Sequence, residues 1–247
     1  MITLNTIVYE GNYKDFLNPD SWFFKFKSSL ITNKSITINN LNSIEDFKQK
    51  LNSIDSTVQL NFVSDYKQKV KDRFKLDIDE NTTGYYYTIP YFVCIENTKT
   101  PYVFNVATDC MRDILVEDSF FTSSIEEFEL DSDCCTTMVT WGLGVCEAQN
   151  NQCVGRYEEM ETVKFFNKEK NSKNFYYRGC FTDQLFFGKI DTLKNIDYNT
   201  GEQYSNVLYH GPAYGGNCFE RRMVAHNVKN LKYNAVYKEN NYFTHDK

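Results

Sequence analysis

Two aspartates stand where the apolar rhythm of the chain stops. Tyr102-Val103-Phe104-Asn105-Val106-Ala107 is a short, mostly apolar run that ends at Thr108-Asp109, and a run of that length reads as a buried strand. In open α/β sheets ligands sit just beyond the carboxyl ends of the strands, so a carboxylate there is held by a rigid element and faces the site. Asp109 is the first candidate. The second is Asp183, in Phe181-Thr182-Asp183-Gln184-Leu185-Phe186. Thr182 is expected to cap a short helix there, with Phe186 and Phe187 anchoring its other side and the carboxylate placed to accept a proton. Arg221 and Arg222 fall in the first turn of a helix that Asn217 and Glu220 are expected to cap, where the macrodipole disfavours a cation unless an anion also sits there. The preceding loop, Tyr209-His210-Gly211-Pro212-Ala213-Tyr214-Gly215-Gly216, has glycines that let backbone approach a phosphate, and His210 is the histidine best placed as a ligand. Each candidate has a plain alternative: a turn aspartate, an acid in a favourable helical first turn, a solvated arginine pair.

The elements that must position these residues are read from periodicity. Ile2 to Tyr9, Ser35 to Asn40 and Val58 to Ser64 read as strands, each followed by residues at helical spacing. Ser43 with Asp46 is a capping signature ahead of the stripe Ile44, Phe47, Leu51 and Ile54, and Tyr66, Val70 and Phe74 form the next stripe. Trp22, Phe26 and Leu30 are also helically spaced. Asp77 to Gly84 is a turn-rich loop, and Pro90 suits a first helical turn that runs on to Asn97 before the strand ending at Asp109. Four strands alternating with helices in the first 110 residues predict a mainly parallel sheet with helices on both faces. In the second half, a short helix from Ser123, strands over Thr136 to Trp141 and Phe175 to Arg178, and a last strand through Leu231, Tyr233, Ala235 and Tyr237 are expected.

Composition narrows the function. The chain has 247 residues, 41% of them hydrophobic, and a net charge of −6, enough for a real core but without the basic face that nucleic acid or an anionic membrane needs. No segment has the length of a membrane span, and the start of the chain lacks the pattern of a secretory signal. The eight cysteines contain no CxxC pair, which supports reduced, buried thiols and a cytoplasmic location over a zinc ribbon or disulfide framework. No GxGxxG or GxxxxGK[ST] follows any expected strand, so dinucleotide and P-loop chemistry lose their main support. Aromatic residues reach 16%, leaving room for a stacking surface. The acidic run Glu126, Glu127, Glu129, Asp131 and Asp133 reads as a solvated helix face.

This order, with one aspartate ending a mid-chain strand and another downstream, resembles nucleotide-sugar-dependent glycosyltransferases of the GT-A fold, in particular family-2-like members. Thr100 to Asp109 is similar to that family's strand into its Asp-x-Asp motif, and Phe181 to Phe186 resembles the segment supplying the base in inverting members. The resemblance implies a single GT-A-like α/β domain over residues 1–247, a mainly parallel central sheet flanked by helices, with a donor half (1–110) and an acceptor and catalytic half (111–247). One departure stands out: the Asp-x-Asp position reads Ala107-Thr108-Asp109, with only its second carboxylate.

The implied activity moves a sugar from a nucleotide-sugar donor to a glycan, lipid or protein acceptor. The donor would lie near Tyr9, Asn39, Asn40, Asp65 and Asp109, with Arg221 and Arg222 at its phosphates, Asp183 as general base, and Mn²⁺ or Mg²⁺ held by Asp109 and His210. No nucleic-acid partner and no integral membrane segment are expected. Alternatives are a nucleotidyltransferase, whose Gly-rich basic signature Tyr9 to Lys14 fits poorly, and a non-catalytic glycan-binding protein of the same fold, favoured by the missing carboxylate.

Overall fold

Strand β1 (Ile2–Val8) is buried along its whole length, as a strand at the centre of a sheet covered on both faces is, and apart from Asn5 its residues are apolar or β-branched. It pairs in parallel with β2 (Ile31–Ile38) on one side and β4 (Tyr102–Val106) on the other, and β2 pairs in parallel with β3 (Gln59–Phe62). The computed structural model describes residues 1–81, 83–111, 114–141, 174–177, 181, 183–200 and 218–243. Beyond β4 the sheet continues through β8 (Leu185–Lys189), β6 (Cys134–Trp141) and β9 (Tyr233–Phe243), in the order β3-β2-β1-β4-β8-β6-β9. Among these seven strands only β8 runs against the rest. Two short strands, β5 (Ile114–Leu115) and β7 (Asn174–Tyr177), pair antiparallel with β9. The expected single α/β domain with a mainly parallel sheet is what forms.

Helices cover both faces. The period-two alternation of the strands sends Leu4, Val8, Phe104 and Val106 into one core and Ile7 and Val103 into the other. Helices α1 (Tyr13–Phe16), α2 (Trp22–Lys25), α3 (Ile44–Ile54) and α7 (Asp118–Leu130) contribute Phe16, Phe23, Phe47, Leu51, Phe120 and Phe121 to the first core. The second holds residues of α4 (Val63–Arg73), α5 (Thr83–Tyr86), α6 (Ile89–Asn97), α8 (Ile190–Lys194) and α9 (Phe219–Asn230). Much of the aromatic excess is packing. Phe104 meets Phe121 edge-on at 5.0 Å, and Phe219 stacks on Tyr91 at 4.8 Å.

Several expectations are corrected. Leu185, Phe186 and Phe187 belong to strand β8, not to a helix beginning near Thr182. All three are buried, because a strand at the centre of a sheet covered on both faces has no polar side and so no period to read. Within Trp22 to Leu30 only Trp22–Lys25 is helical, a single turn, with Trp22 stacked on Phe26 at 4.4 Å, and β2 begins at Ile31. Helix α7 starts five residues before Ser123, at Asp118. The acidic face of that helix is only partly solvated: Glu127 is buried and accepts the Tyr233 hydroxyl, and Glu129 accepts the Tyr102 hydroxyl at 3.1 Å. Cys94, Cys110, Cys134, Cys135 and Cys218 are free, buried thiols, as expected.

Candidate active site

The parallel strands end level with one another: Val8 of β1 registers with Ile38 of β2, and Ile38 with Phe62 of β3. Tyr9, Asn39 with Asn40, and the first turn of α4 therefore share one edge. Asn39 is held there twice, its backbone N–H donating to the Val8 carbonyl at 2.8 Å and its side-chain amide to the Tyr86 carbonyl at 3.2 Å. Asn40 takes a left-handed backbone (φ 62°), which asparagine tolerates better than most side chains. Asp65 is exposed in the first turn of α4, where its charge complements the helix dipole, and Ser64 donates to it at 3.0 Å.

Beside this edge, β4 runs into a single 3-10 turn, Thr108–Cys110, that contains Asp109. The turn is tied to the loop after β1. Asn12 accepts the Tyr9 backbone N–H at 3.0 Å and donates through its amide to the Thr108 hydroxyl.

The antiparallel β8 brings the second half of the chain to the same place. Because Val106 registers with Leu185, the start of β8 lies against the end of β4, and the Ala107 N–H donates to the Gln184 carbonyl at 2.6 Å. Asp183 is thereby next to the Thr108–Cys110 turn. Its main chain is held from two sides: Asn105 donates to its carbonyl at 3.1 Å, and its N–H donates to Glu220 of α9 at 3.0 Å. Glu220 was expected to close a capping box with Asn217. The residue ahead of α9 is instead Cys218, with no side-chain cap, and Glu220 turns to Asp183. Burial pushes the Cys218 thiol up to about 11, with the Glu220 and Asp183 charges adding to the shift against a bond from the Arg221 backbone, so it is no nucleophile at neutral pH.

The two arginines part company. Arg221 is half-buried in the first turn of α9, next to Glu220. Arg222 is 6% exposed and donates to the Tyr198 carbonyl at 2.9 Å, the Asn199 side chain at 3.0 Å and the Asp77 carbonyl at 3.4 Å. This corrects its assignment to donor phosphates: its guanidinium knits α9 to two loops, because a buried guanidinium must meet several acceptors at once. The structure thus gathers Tyr9, Asn39, Asn40, Asp65, Asp109, Asp183 and Arg221 along one rim and withdraws Arg222. His210 and its glycine-rich loop lie outside the described residues. Sequence reasoning missed Asn12, Asn105 and Glu220. Of these only Asn105 left a sign, an amide in the middle of an otherwise apolar strand.

By sequence, no protein-family model and no curated protein matches the chain. By structure, glucosyl-3-phosphoglycerate synthase from Mycobacterium tuberculosis, crystallised with Mn²⁺, uridine diphosphate and phosphoglyceric acid, superposes with a TM-score of 0.50 at 8% identity, over 100% of this chain and 71% of that one. A mycobacterial protein superposes with the same score and identity, over 100% of this chain and 68% of the other. The fold is GT-A. In a GT-A sheet the shared carboxyl edge is the crevice at which an open α/β sheet takes its ligand, and here Asp109 and Asp183 come to it from opposite halves of the chain.

The GT-A resemblance also implies a divalent metal. Among the described residues no group of three or more His, Cys, Asp or Glu side chains converges, and the Thr108 hydroxyl beside Asp109 is engaged by Asn12. Among the described residues, too, no helix is long and apolar enough to cross a membrane.

Proposed function

We propose that this chain is a glycosyltransferase, moving a sugar from a nucleoside-diphosphate donor to an acceptor hydroxyl. The reading is supported above all by the convergence of Asp183 with the Asp109 turn at the carboxyl edge of a GT-A sheet. Breaking the bond between sugar and phosphate leaves a diphosphate whose growing charge must be neutralised. Arg221 and the amino-terminal end of the twelve-residue α9, with its dipole, are the cationic and dipolar groups suited to that task. Tyr9, Asn39, Asn40 and Asp65 offer an aromatic face, amides and a carboxylate for a base and ribose. Asp183, if the sugar inverts, takes the acceptor proton as general base, with its backbone fixed by Asn105 and Glu220.

A divalent cation, in this reading, enters with the donor, whose phosphate oxygens supply part of its ligand set. Asp109 is the carboxylate offered to it, with His210 a second candidate. A cytoplasmic location and a glycan-type acceptor belong to the same proposal. Calorimetric titration with UDP, GDP, ADP and CDP, each with and without Mn²⁺, followed by assay of donor-sugar hydrolysis, tests it. Binding of one nucleoside diphosphate with slow hydrolysis of its sugar conjugate supports the activity. Binding of glycans with no affinity for any nucleoside diphosphate overturns it in favour of a non-catalytic glycan-binding protein.

A further inference from the structure

A chain of buried polar side chains crosses the sheet beneath this site. Ser35 and Thr37 of β2 donate to the Asn5 Oδ1 of β1 at 2.8 and 3.2 Å, Asn5 Nδ2 donates to Asn105 Oδ1 of β4 at 2.8 Å, and Asn105 Nδ2 donates to the Asp183 carbonyl at 3.1 Å. Ser35, Thr37, Asn5 and Asn105 are all buried, the two asparagines completely. Such a row is costly to desolvate, and apolar residues at the same positions would complete an ordinary sheet core.

The direction of the chain is fixed from its far end. A carbonyl oxygen can only accept, so Asn105 must turn its NH₂ to Asp183 and its oxygen to Asn5. Asn5 must then turn its own NH₂ to Asn105, which leaves its oxygen for two hydroxyls. Reversing either amide would set like groups against each other. The row is therefore a single polarised unit that begins in the donor half and ends on the backbone of the proposed base, while Glu220 grips the N–H of the same residue from α9.

We infer that Asn105, oriented by Asn5, is a positioning residue: it holds the Asp183 peptide so that the carboxylate faces the acceptor, and it couples that placement to the donor-binding strands. The inference rests on the reading of Asp183 as base. Asparagine rather than serine or threonine is what β4 needs, because one side chain must accept from a neighbouring strand and donate beyond the strand end, and an amide does this from two separate atoms where a hydroxyl has one.

The test uses Asn105→Ser, Asp183→Asn and the double variant in the full chain, with Thr37→Val as a mild change at the remote end of the row. Amide hydrogen exchange is read in peptides covering residues 183–189 and 2–8. Asn105→Ser is expected to raise exchange at 183–189 at least tenfold while exchange at 2–8 changes less than threefold, and to lower kcat by about 10- to 100-fold with nucleoside-diphosphate affinity within threefold of the parent. In the Asp183→Asn background the serine substitution is expected to change kcat by less than twofold, since both act through one group. Thr37→Val leaves Ser35 in place and is expected to lower kcat by less than fivefold.

Unchanged exchange at 183–189, or a kcat loss that multiplies in full on top of Asp183→Asn, overturns the positioning role and leaves the base assignment standing. Normal turnover by Asp183→Asn overturns the base assignment, and the exchange data then decide whether Asn105 holds the segment at all. Loosening of both peptides together, with affinity and kcat falling in step, assigns the row to fold stability and overturns the inference.

Discussion

Asn12, in the loop after β1, donates its side-chain amide to the hydroxyl of Thr108, the residue immediately before Asp109. The same side chain accepts the Tyr9 N–H, so one asparagine fixes the exits of two neighbouring parallel strands. Replacing it with alanine frees the Tyr9 N–H and the turn that carries Asp109. Asn12→Ala is expected to weaken nucleoside-diphosphate binding about three- to tenfold, roughly 1 kcal/mol, as measured by calorimetry, with the melting temperature nearly unchanged. A variant that binds as the parent does removes Asn12 from the site.

Asp109 is the direct test of the donor edge. Asp109→Ala is expected to weaken donor binding in the presence of Mn²⁺ at least tenfold, about 1.4 kcal/mol, and to reduce the difference between titrations with and without the metal. Equal affinity for parent and variant with metal present would exclude the residue from the phosphates.

The chemical step is probed separately. Asp183→Asn keeps the shape of the side chain and both backbone bonds, to Asn105 and Glu220, while removing the basic oxygen. Turnover is expected to fall by about two to four orders of magnitude with donor affinity preserved. Loss of affinity in step with turnover would instead assign Asp183 to donor binding.

How far the sequence discloses this site follows from what each pattern can encode. β1 and β3 alternate in residue type and β4 is a short, mostly apolar run, each followed by or set between helically spaced residues, so the first four parallel strands and Asp109 at their edge are legible in the order of residues alone. β8 is not, because Leu185-Phe186-Phe187 is apolar on both sides and its direction depends on pairing with β4 and β6. Arg221 and Arg222 are alike in sequence, and only the angle about α9 sends one to the rim and the other to the Tyr198, Asn199 and Asp77 acceptors. Asn12 and Glu220 act through partners 96 and 37 residues away, a separation no local motif records.

That division between the arginines is itself testable. Arg222→Met leaves the Tyr198 carbonyl and its neighbours without their donor in a buried place, and is expected to cost about 2–4 kcal/mol in urea unfolding. Arg222→Lys should recover little, since one ammonium cannot span the same acceptors. Arg221→Met is expected to shift stability by less than about 0.5 kcal/mol and to weaken nucleoside-diphosphate binding. The opposite pattern would exchange the two roles.

The acid limb of the stability curve depends on Glu96, at the end of α6, which pairs with Lys69 and Arg73 of α4 at 2.9 Å each. Burial alone would raise its carboxyl, but Lys69 and Arg73 outweigh that and hold it below the ordinary value of 4.5, with Lys194 adding to the effect. A carboxyl lowered on folding binds its proton less readily in the native than in the unfolded chain. Its contribution is therefore complete above about pH 4.5 and disappears as the pH falls through the lower native value. Glu96→Gln is expected to reduce stability at pH 7 by about 0.5–1 kcal/mol and to narrow the gap from the parent as the pH drops from 5 toward 3. Urea melts of both proteins across that range check it, and a gap that stays constant or widens toward acid would show that the ion pairs do not hold α6 to α4.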